Sequence, residues 1–365
     1  MANVDDYLQW RGDLTFEQSD FNDVDNLILS QLAYVDWKGI VPDMGTKDGI
    51  TLAAAANRFF ELNSDEELLK VKSFIAEAPF FMRRVAKTNR FKNVWLSEYI
   101  DNIDETAQKQ ISAFHATLGD GTVYIAFRGT DDTIVGWKED FNMSFIMPVP
   151  SQIEAAEYVN RTVRFRSGKV RLGGHSKGGN LAVYSAVKAA PKIKRKIIDI
   201  YNNDGPGFNK EMIDSHEYQE MIPLIKSIVP EGSVVGMLLE HGEDYKVVKS
   251  TGKGVMQHDA MTWQVLGADF ETVADVSKKS RRLNEALSRR INGLNMEDRA
   301  TFVESLFSLI TSSGARNLSD LNADHFKRAN YALKVYSHMD KETRAMMRRM
   351  LASLTDEIGK VRRGV

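Results

Sequence analysis

The chain contains 365 residues, of which 43% are hydrophobic and 27% charged, a composition typical of globular proteins that excludes a disordered chain and a collagen-like fibre. Its formal net charge of −2 excludes a protein that binds polyanions over its whole surface. The absence of cysteine excludes disulfides, thiolate metal ligands and a cysteine nucleophile, and it is typical of a reducing cytoplasm.

The first residues, Met1 to Tyr7, lack the basic and apolar segments of a secretory signal, and no apolar run reaches the ~18 residues that span a bilayer. We therefore expect a cytoplasmic protein. Residues 271–365 contain 18 Lys and Arg against 12 Asp and Glu; such an excess is usually a solvated face, but it leaves peripheral contact with an anionic membrane open. Basic pairs without interleaved aromatic residues argue against a nucleic-acid partner.

Hydrophobic spacing predicts a helical region over residues 1–90, an α/β core over residues 91–268 and a second helical region over residues 269–365. In the first region the apolar residues at helical spacing are Leu27, Ile28, Leu32, Ala33, Leu68, Leu69, Val71 and Phe74. In the third region, which lacks proline, apolar stripes predict about four helices. These stripes are Val273, Val276, Leu283, Leu287 and Ile291; Phe302, Val303, Leu306 and Ile310; Phe326, Ala329 and Leu333; and Met346, Met347, Met350 and Leu354.

Short apolar runs separated by polar or glycine-rich turns mark the central region. The predicted strands are Val123–Phe127, Val170–Leu172, Ile197–Tyr201, Ile225–Val229 and Tyr245–Val248, and the predicted helices between them are Ile153–Val163 and Leu181–Ala190. Alternation of strand and helix is typical of a parallel sheet with right-handed crossovers.

The strongest chemical signal lies where the second predicted strand meets its helix. The segment Gly174-His-Ser176-Lys-Gly178 follows Val170–Leu172 directly. In the pattern G-x-S-x-G the glycines leave room for a sharp turn from strand to helix, and the serine hydroxyl stands at the helix N-terminus. We therefore interpret Ser176 as a nucleophile rather than as a capping serine in a glycine-rich turn.

A second signal follows the strand Val123–Phe127, which continues into Arg-Gly-Thr130. At this edge of the sheet the backbone N–H of Thr130, with or without its hydroxyl, can face the backbone N–H of Lys177. Two such donors form an oxyanion hole. The alternative is an ordinary turn in which Thr130 caps the following segment.

These residues carry a resemblance. The pair Phe127-Arg-Gly-Thr130 and Gly174-His-Ser-Lys-Gly-Gly179 resembles the lipase group of the α/β-hydrolase superfamily, in which the first segment supplies an oxyanion residue and the second the nucleophile. More narrowly, residues 127–263, with the runs NNDGPGF, VVKS and QHD, are similar to a bacterial lipase-like family of unknown function. The resemblance spans roughly residues 90–265 and implies an α/β-hydrolase-type, mostly parallel sheet with helical N- and C-terminal additions.

A serine hydrolase also needs a base, and in this fold the histidine follows the nucleophile and the acid along the chain. Of the seven histidines, His258 lies in the loop after the last predicted strand, where the fold delivers its general base. His241 precedes that strand and is the weaker alternative. His175 lies inside the elbow, and we expect its side chain to pack away from the serine.

The acid is less clearly marked, because two lipase patterns disagree. Asp204 is the first carboxylate after the strand Ile197–Tyr201, in a D-G-P-G run that resembles the acid of pancreatic-type lipases. Class 3 lipases take the acid after the next strand, where this chain has Ser233. The serine at this position favours Asp204 as the acid, and Glu231 is the alternative acid. Asp204 could instead serve only as a turn residue.

The sequence thus predicts a serine hydrolase of carboxylic esters, with a lipid as the favoured substrate, Ser176, His258 and Asp204 as the triad, and Lys177 and Thr130 as the oxyanion residues. The mechanism needs neither metal nor cofactor. We expect a solvated Lys177 ammonium, and residues 133–150 are either a mobile lid or a helix packed on the core. A silent binding or scaffold protein, or a thioesterase, acyltransferase or peptidase with the same triad, remains open, as does the oligomeric state.

Overall fold

The computed structural model describes residues 1–285 apart from 72, 74, 132, 144–145, 165–167 and 283, together with the single residues 301, 344 and 348. The predicted stripes from Leu283 to Leu354 lie outside the described residues, and so does Phe74.

Helices dominate the described chain before β2, and further helices alternate with the later strands of the main sheet. The helices are α1 (Val4–Arg11), α2 (Asp23–Leu32), α3 (Leu52–Leu62), α4 (Asp65–Leu68), α5 (Ala78–Val85), α6 (Ile134–Asn142), α7 (Pro150–Thr162), α8 (Lys177–Val187), α9 (Pro191–Lys194), α10 (Lys210–Ile213) and α11 (His216–Met221). The strands are β1 (Ile50–Thr51), β2 (Trp95–Asp104), β3 (Lys109–Thr117), β4 (Val123–Phe127), β5 (Val170–His175), β6 (Ile197–Asn203), β7 (Ile225–Pro230), β8 (Tyr245–Val248), β9 (Val265–Leu266) and β10 (Asp269–Phe270).

Strands β1 to β8 form one sheet in which spatial order follows chain order. The pairs from β1 to β4 are antiparallel, and those from β4 to β8 are parallel. The five predicted strands are β4 to β8, and the predicted mostly parallel sheet with helices between its strands is confirmed. Strand β9 pairs with β10 in a separate short ribbon.

Each strand from β5 to β8 lies beside the strand that precedes it in the chain, always on the same side. Right-handed crossovers therefore place the connecting helices on one face of the sheet. Helices α7, α8, α10 and α11 accordingly share a core with alternate residues of the strands, such as Ile125 and Phe127 of β4. The residues that alternate with them along β4, Tyr124 and Ala126, point into the core on the opposite face.

The N-terminal helices cover that opposite face. Leu27 and Ile28 of α2 and Phe81 of α5 belong to the same core as Tyr124. A buried ion pair fixes this layer: Arg90 Nη2 lies 2.5 Å from Asp25 Oδ2, with both side chains fully buried. The N-terminal region is therefore one of the two layers that enclose the sheet. Within the described part of the chain, no helix is long and apolar enough to cross a membrane.

Two local features differ from expectation. The hairpin of β2 and β3 was not among the predicted strands. A bulge between Ser97 and Ile100, with Glu98 at φ 55°, breaks the alternation of apolar and polar residues along β2. The helical stripe predicted over Leu68–Val71 is wrong: α4 ends at Leu68, and Leu69 and Val71 are 71% and 52% exposed.

Candidate active site

Ser176 lies at the sharp turn between β5 and α8. Its backbone has φ 58° and ψ −133°, a conformation that non-glycine residues rarely adopt and that costs ~1–3 kcal/mol. A Cβ on Gly174 would collide with the Gly178 backbone, and one on Gly178 would collide with the Phe127 carbonyl. The glycines of the G-x-S-x-G pattern are thus required by close backbone approach.

The neighbouring strand holds this turn in place. The Ser176 N–H donates to the Asn203 carbonyl at 2.9 Å, and the Asn203 side chain donates to the Gly174 carbonyl at 3.0 Å. Asn203 in turn accepts a hydrogen bond of 2.8 Å from Asn26 of α2. A buried polar network therefore connects the strained serine to the N-terminal helical layer.

His258 lies between the serine and a carboxylate. Its Nε2 is 3.0 Å from Ser176 Oγ, and its Nδ1 is 2.6 Å from Asp204 Oδ2. A carboxylate at Nδ1 holds the proton on that nitrogen and leaves Nε2 as the acceptor for the serine proton. The structure thus brings the three predicted triad residues into one hydrogen-bonded chain.

Asp204 is fully buried directly after β6, at φ 50°. Its Oδ1 accepts hydrogen bonds from the Ser233 hydroxyl at 2.5 Å and from the Gly236 N–H at 3.2 Å. These donors satisfy the carboxylate oxygen that His258 does not contact, as a buried charge requires. Glu231, the alternative acid, follows β7 and donates its N–H to the Val248 carbonyl.

Two ring N–H groups hold the loop that carries His258. His175 Nε2 donates to the His258 carbonyl at 2.8 Å, and Trp263 Nε1 donates to the Gln257 carbonyl at 2.9 Å. This tautomer makes His175 Nδ1 the acceptor for the Tyr34 hydroxyl, which lies 2.9 Å away. Burial lowers the pKa of His175 well below its usual range, so its ring is neutral.

His241 does not contact the serine. Its Nδ1 lies 3.2 Å from Glu243 Oε1, and its Nε2 lies 2.7 Å from the Gly236 carbonyl. Both partners offer hydrogen-bond acceptors, so the ring is held between the Glu243 carboxylate and the Gly236 carbonyl. His241 thus holds the carbonyl of Gly236, the residue whose N–H donates to Asp204.

The two predicted oxyanion residues follow the adjacent strands β4 and β5. Lys177 is the first residue of α8, where backbone N–H groups have no acceptor within the helix. The Thr130 hydroxyl donates to Asp140 Oδ2 at 2.5 Å, so the hydroxyl is engaged and the oxyanion prediction depends on the backbone N–H. A Cβ on the preceding Gly129 would collide with the His175 carbonyl, so this loop packs against the elbow.

The expectation of a solvated Lys177 ammonium is wrong. Its side chain is 1% exposed, and Nζ lies 3.1 Å from Glu139 Oε2 and 3.6 Å from Asp140 Oδ1. Helix α6 places both acids over the start of α8. Nothing in the local pattern predicts this pairing, because spacing along the chain does not show which helix covers the elbow.

Among the described residues, no group of three or more His, Asp or Glu is arranged to hold a metal ion. Sequence reasoning also missed Tyr34 and Trp263. Tyr34 lies 141 positions from His175, and no local pattern connects residues at that separation.

The chain has relatives among known proteins over its central part. A model of the Mbeg1-like family matches residues 85–308, which is more than half of the chain. No curated protein matches. The chain is similar to the M37 lipase, at 15% identity over 58% of this chain and 67% of the lipase, with a TM-score of 0.34. It is also similar to a fungal lipase in complex with an inhibitor, at 18% identity over 51% of this chain and 78% of that lipase, with a TM-score of 0.33.

Proposed function

The chain belongs to the Mbeg1-like family, and from this premise we propose that it is a serine hydrolase that cleaves carboxylic esters. The observation that carries the proposal is the chain of hydrogen bonds from Ser176 through His258 to Asp204. A buried carboxylate, an oriented imidazole and a serine in a strained strand-to-helix turn are the parts that nucleophilic acyl transfer needs.

In the proposed mechanism, Ser176 Oγ attacks the acyl carbon while His258 Nε2 takes the hydroxyl proton. Asp204 stabilises the imidazolium that forms, and the backbone N–H groups of Lys177 and Thr130 donate to the oxyanion. The tetrahedral intermediate collapses, and His258 returns the proton to the leaving alcohol. Water then attacks the acyl-enzyme by the same steps in reverse and releases the acid and the free serine.

Exposed apolar side chains in the segments that adjoin His258 and α6 along the chain support a lipid-like acyl group as substrate. Met256, two residues before His258, is 63% exposed, and Ile146, in the segment after α6, is 41% exposed. Side chains of this kind gain from covering an acyl chain. Thioesters and amides pass through the same type of intermediate, so the choice among them is made by a substrate panel.

A fluorophosphonate probe tests the proposal, because it phosphonylates only an activated serine. We expect wild-type protein to be labelled and to hydrolyse short acyl esters, and Ser176→Ala to do neither while remaining folded. Ser185→Ala is the matched control, since Ser185 lies on the same helix and bonds only to the Leu181 carbonyl in the described structure. Wild-type protein that is neither labelled nor active would leave the silent binding protein as the better interpretation.

A further inference from the structure

The side chain that follows the nucleophile lies in a buried ionic cluster. Lys177 and Glu139 are 1% and 0% exposed at the side chain, and Nζ lies 3.1 Å from Oε2. An ammonium withdrawn from water in this way is tolerated only beside an opposite charge. The backbone N–H of Lys177 is also one of the two proposed oxyanion donors, so the ionic cluster includes a residue of the proposed oxyanion hole.

Glu139 ties helix α6 to the rest of the molecule. Its Oε2 also accepts the Gln110 N–H at 3.0 Å, and its Oε1 accepts the Ser151 N–H at 2.9 Å. One carboxylate thus connects α6 to β3, to α7 and, through Lys177, to the nucleophile elbow.

Asp140, the next residue, connects the same lysine to the other side of the hole. Its Oδ1 lies 3.6 Å from Lys177 Nζ, and its Oδ2 accepts the Thr130 hydroxyl at 2.5 Å. Burial raises the pKa of Asp140 to about 6, so the carboxylate is ionised above that pH. The side chain of one oxyanion residue is therefore linked through a single carboxylate to the side chain of the other.

This arrangement bears on whether α6 moves. Residues 133–150 could form a mobile lid, but displacement of α6 would separate Glu139 and Asp140 from Lys177. It would break both ion pairs of the buried Lys177 ammonium, and their loss opposes the displacement. It would also release Thr130 and so disassemble the oxyanion hole.

We propose that Lys177 is a positioning residue whose ammonium locks α6 and Thr130 onto the nucleophile elbow, so that the oxyanion hole is complete in the resting protein. The inference rests on the proposed function and deepens it. An enzyme with a complete hole needs no lipid–water interface to become active. Its substrates accordingly include esters that are dissolved singly in water.

Three variants test the positioning role. Lys177→Met keeps the backbone N–H and removes the ammonium. Lys177→Met/Glu139→Gln removes both charges of the fully buried pair, so that Glu139 is not left as an unpaired carboxylate, while Asp140 keeps its hydrogen bond from Thr130. Lys188→Met, an exposed lysine one residue beyond α8, is the control. The measurements are kcat and KM on a soluble short-chain ester, the inhibition constant of a trifluoromethyl ketone, and the midpoint of thermal unfolding.

In the double variant we expect native-like unfolding, a kcat lower by ~10–100-fold and a KM within about twofold of wild type, because the donors remain but lose alignment. The inhibition constant of the ketone, which binds as a tetrahedral oxyanion, should rise in proportion. The control should match wild type. A folded double variant with unchanged kcat and inhibition constant would overturn the inference and leave the proposed function intact.

A second experiment tests whether activity needs a lipid–water interface. The rate of the wild-type protein is measured with one ester whose concentration is raised from below to above its solubility limit. We expect simple saturation, with no increase in rate when droplets form. A rate that rises more than about tenfold at that point would overturn the claim that the hole is complete at rest. Wild-type protein that fluorophosphonate does not label would remove the proposed function, and the inference with it.

Discussion

The Ser233 hydroxyl donates a hydrogen bond of 2.5 Å to Asp204 Oδ1, while His258 contacts Asp204 Oδ2. By the resemblance drawn from the sequence, Ser233 corresponds to the acid position of class 3 lipases and Asp204 to that of pancreatic-type lipases. Two residues 29 positions apart therefore meet at one carboxylate. In this chain Ser233 supplies a hydrogen-bond donor to the Asp204 carboxylate.

Asp204→Asn should lower kcat by as much as ~10⁴-fold, because an amide has no charge to stabilise the imidazolium and can favour the wrong tautomer of His258. The fold should survive, since Asn tolerates the positive φ at this position. Steady-state kinetics on an acyl ester, with circular dichroism as a check on folding, measure both. Glu231→Gln is the control and should stay within about twofold of wild type. A collapse of activity in Glu231→Gln with near-normal Asp204→Asn would move the acid to the loop after β7.

Restoring a carboxylate at the neighbouring position tests whether the two sites are equivalent. Ser233→Asp in the Asp204→Asn background should recover at least ~10-fold of the lost kcat if the new carboxylate reaches His258. Ser233→Asp alone should be less active than wild type, because two adjacent carboxylates repel in a buried site. Equal kcat in Asp204→Asn and in the Asp204→Asn/Ser233→Asp double variant would contradict this interpretation.

Substitutions of His258 and His241, the two histidines near Asp204, should have very different effects on kcat. His258→Ala should lower kcat by at least ~10³-fold, since it removes the proposed base. His241→Asn should lower kcat by only about 3- to 10-fold, because His241 contacts Asp204 only indirectly, through the backbone of Gly236. Parallel measurement of kcat and KM for the two variants gives the ranking. If His241→Asn proved the more damaging change, His258 would no longer be the base.

Local pattern predicted the parts of the site that short segments determine. The run around Ser176 predicted both the strand and the helix, because close-packed glycines and a serine at the turn are a local requirement. Pairing across the fold was not predictable: Lys177 has the pattern of a surface residue until α6 is known to cover it, and Tyr34 has no sequence relation to His175. The hairpin of β2 and β3 was missed because its bulge breaks the period-2 alternation on which strand prediction depends.

The N-terminal layer should affect the reaction through Tyr34. Tyr34→Phe removes the donor to His175 Nδ1, and the ring that anchors the His258 loop would then have a buried nitrogen without a partner. We expect kcat to fall by about 3- to 10-fold with KM little changed. The control is Tyr184→Phe on α8, which should leave kcat unchanged. A drop in KM alone, or no change, would mean that the loop is held without Tyr34.

Glu243 gives a prediction for stability against pH. Burial acts to raise its pKa, but hydrogen bonds from His241, Ser227 and Tyr218 outweigh burial and lower the pKa from 4.5 to about 2. Between these values the unfolded chain binds more protons than the folded one. The stabilisation is therefore complete above pH 4.5 and is lost as the pH falls toward 2, and a shift of this size corresponds to about 3 kcal/mol.

Glu243→Gln should consequently be less stable than wild type at pH 6, because the His241 ring and two hydroxyl groups lose their ionised acceptor. The difference in the free energy of unfolding should shrink as the pH falls from 4.5 and nearly vanish by about pH 2. Urea unfolding across this range measures the difference, with the exposed Glu211→Gln as control. A constant difference between the two proteins from pH 6 to about pH 2.5 would show that Glu243 contributes by packing and not by its charge.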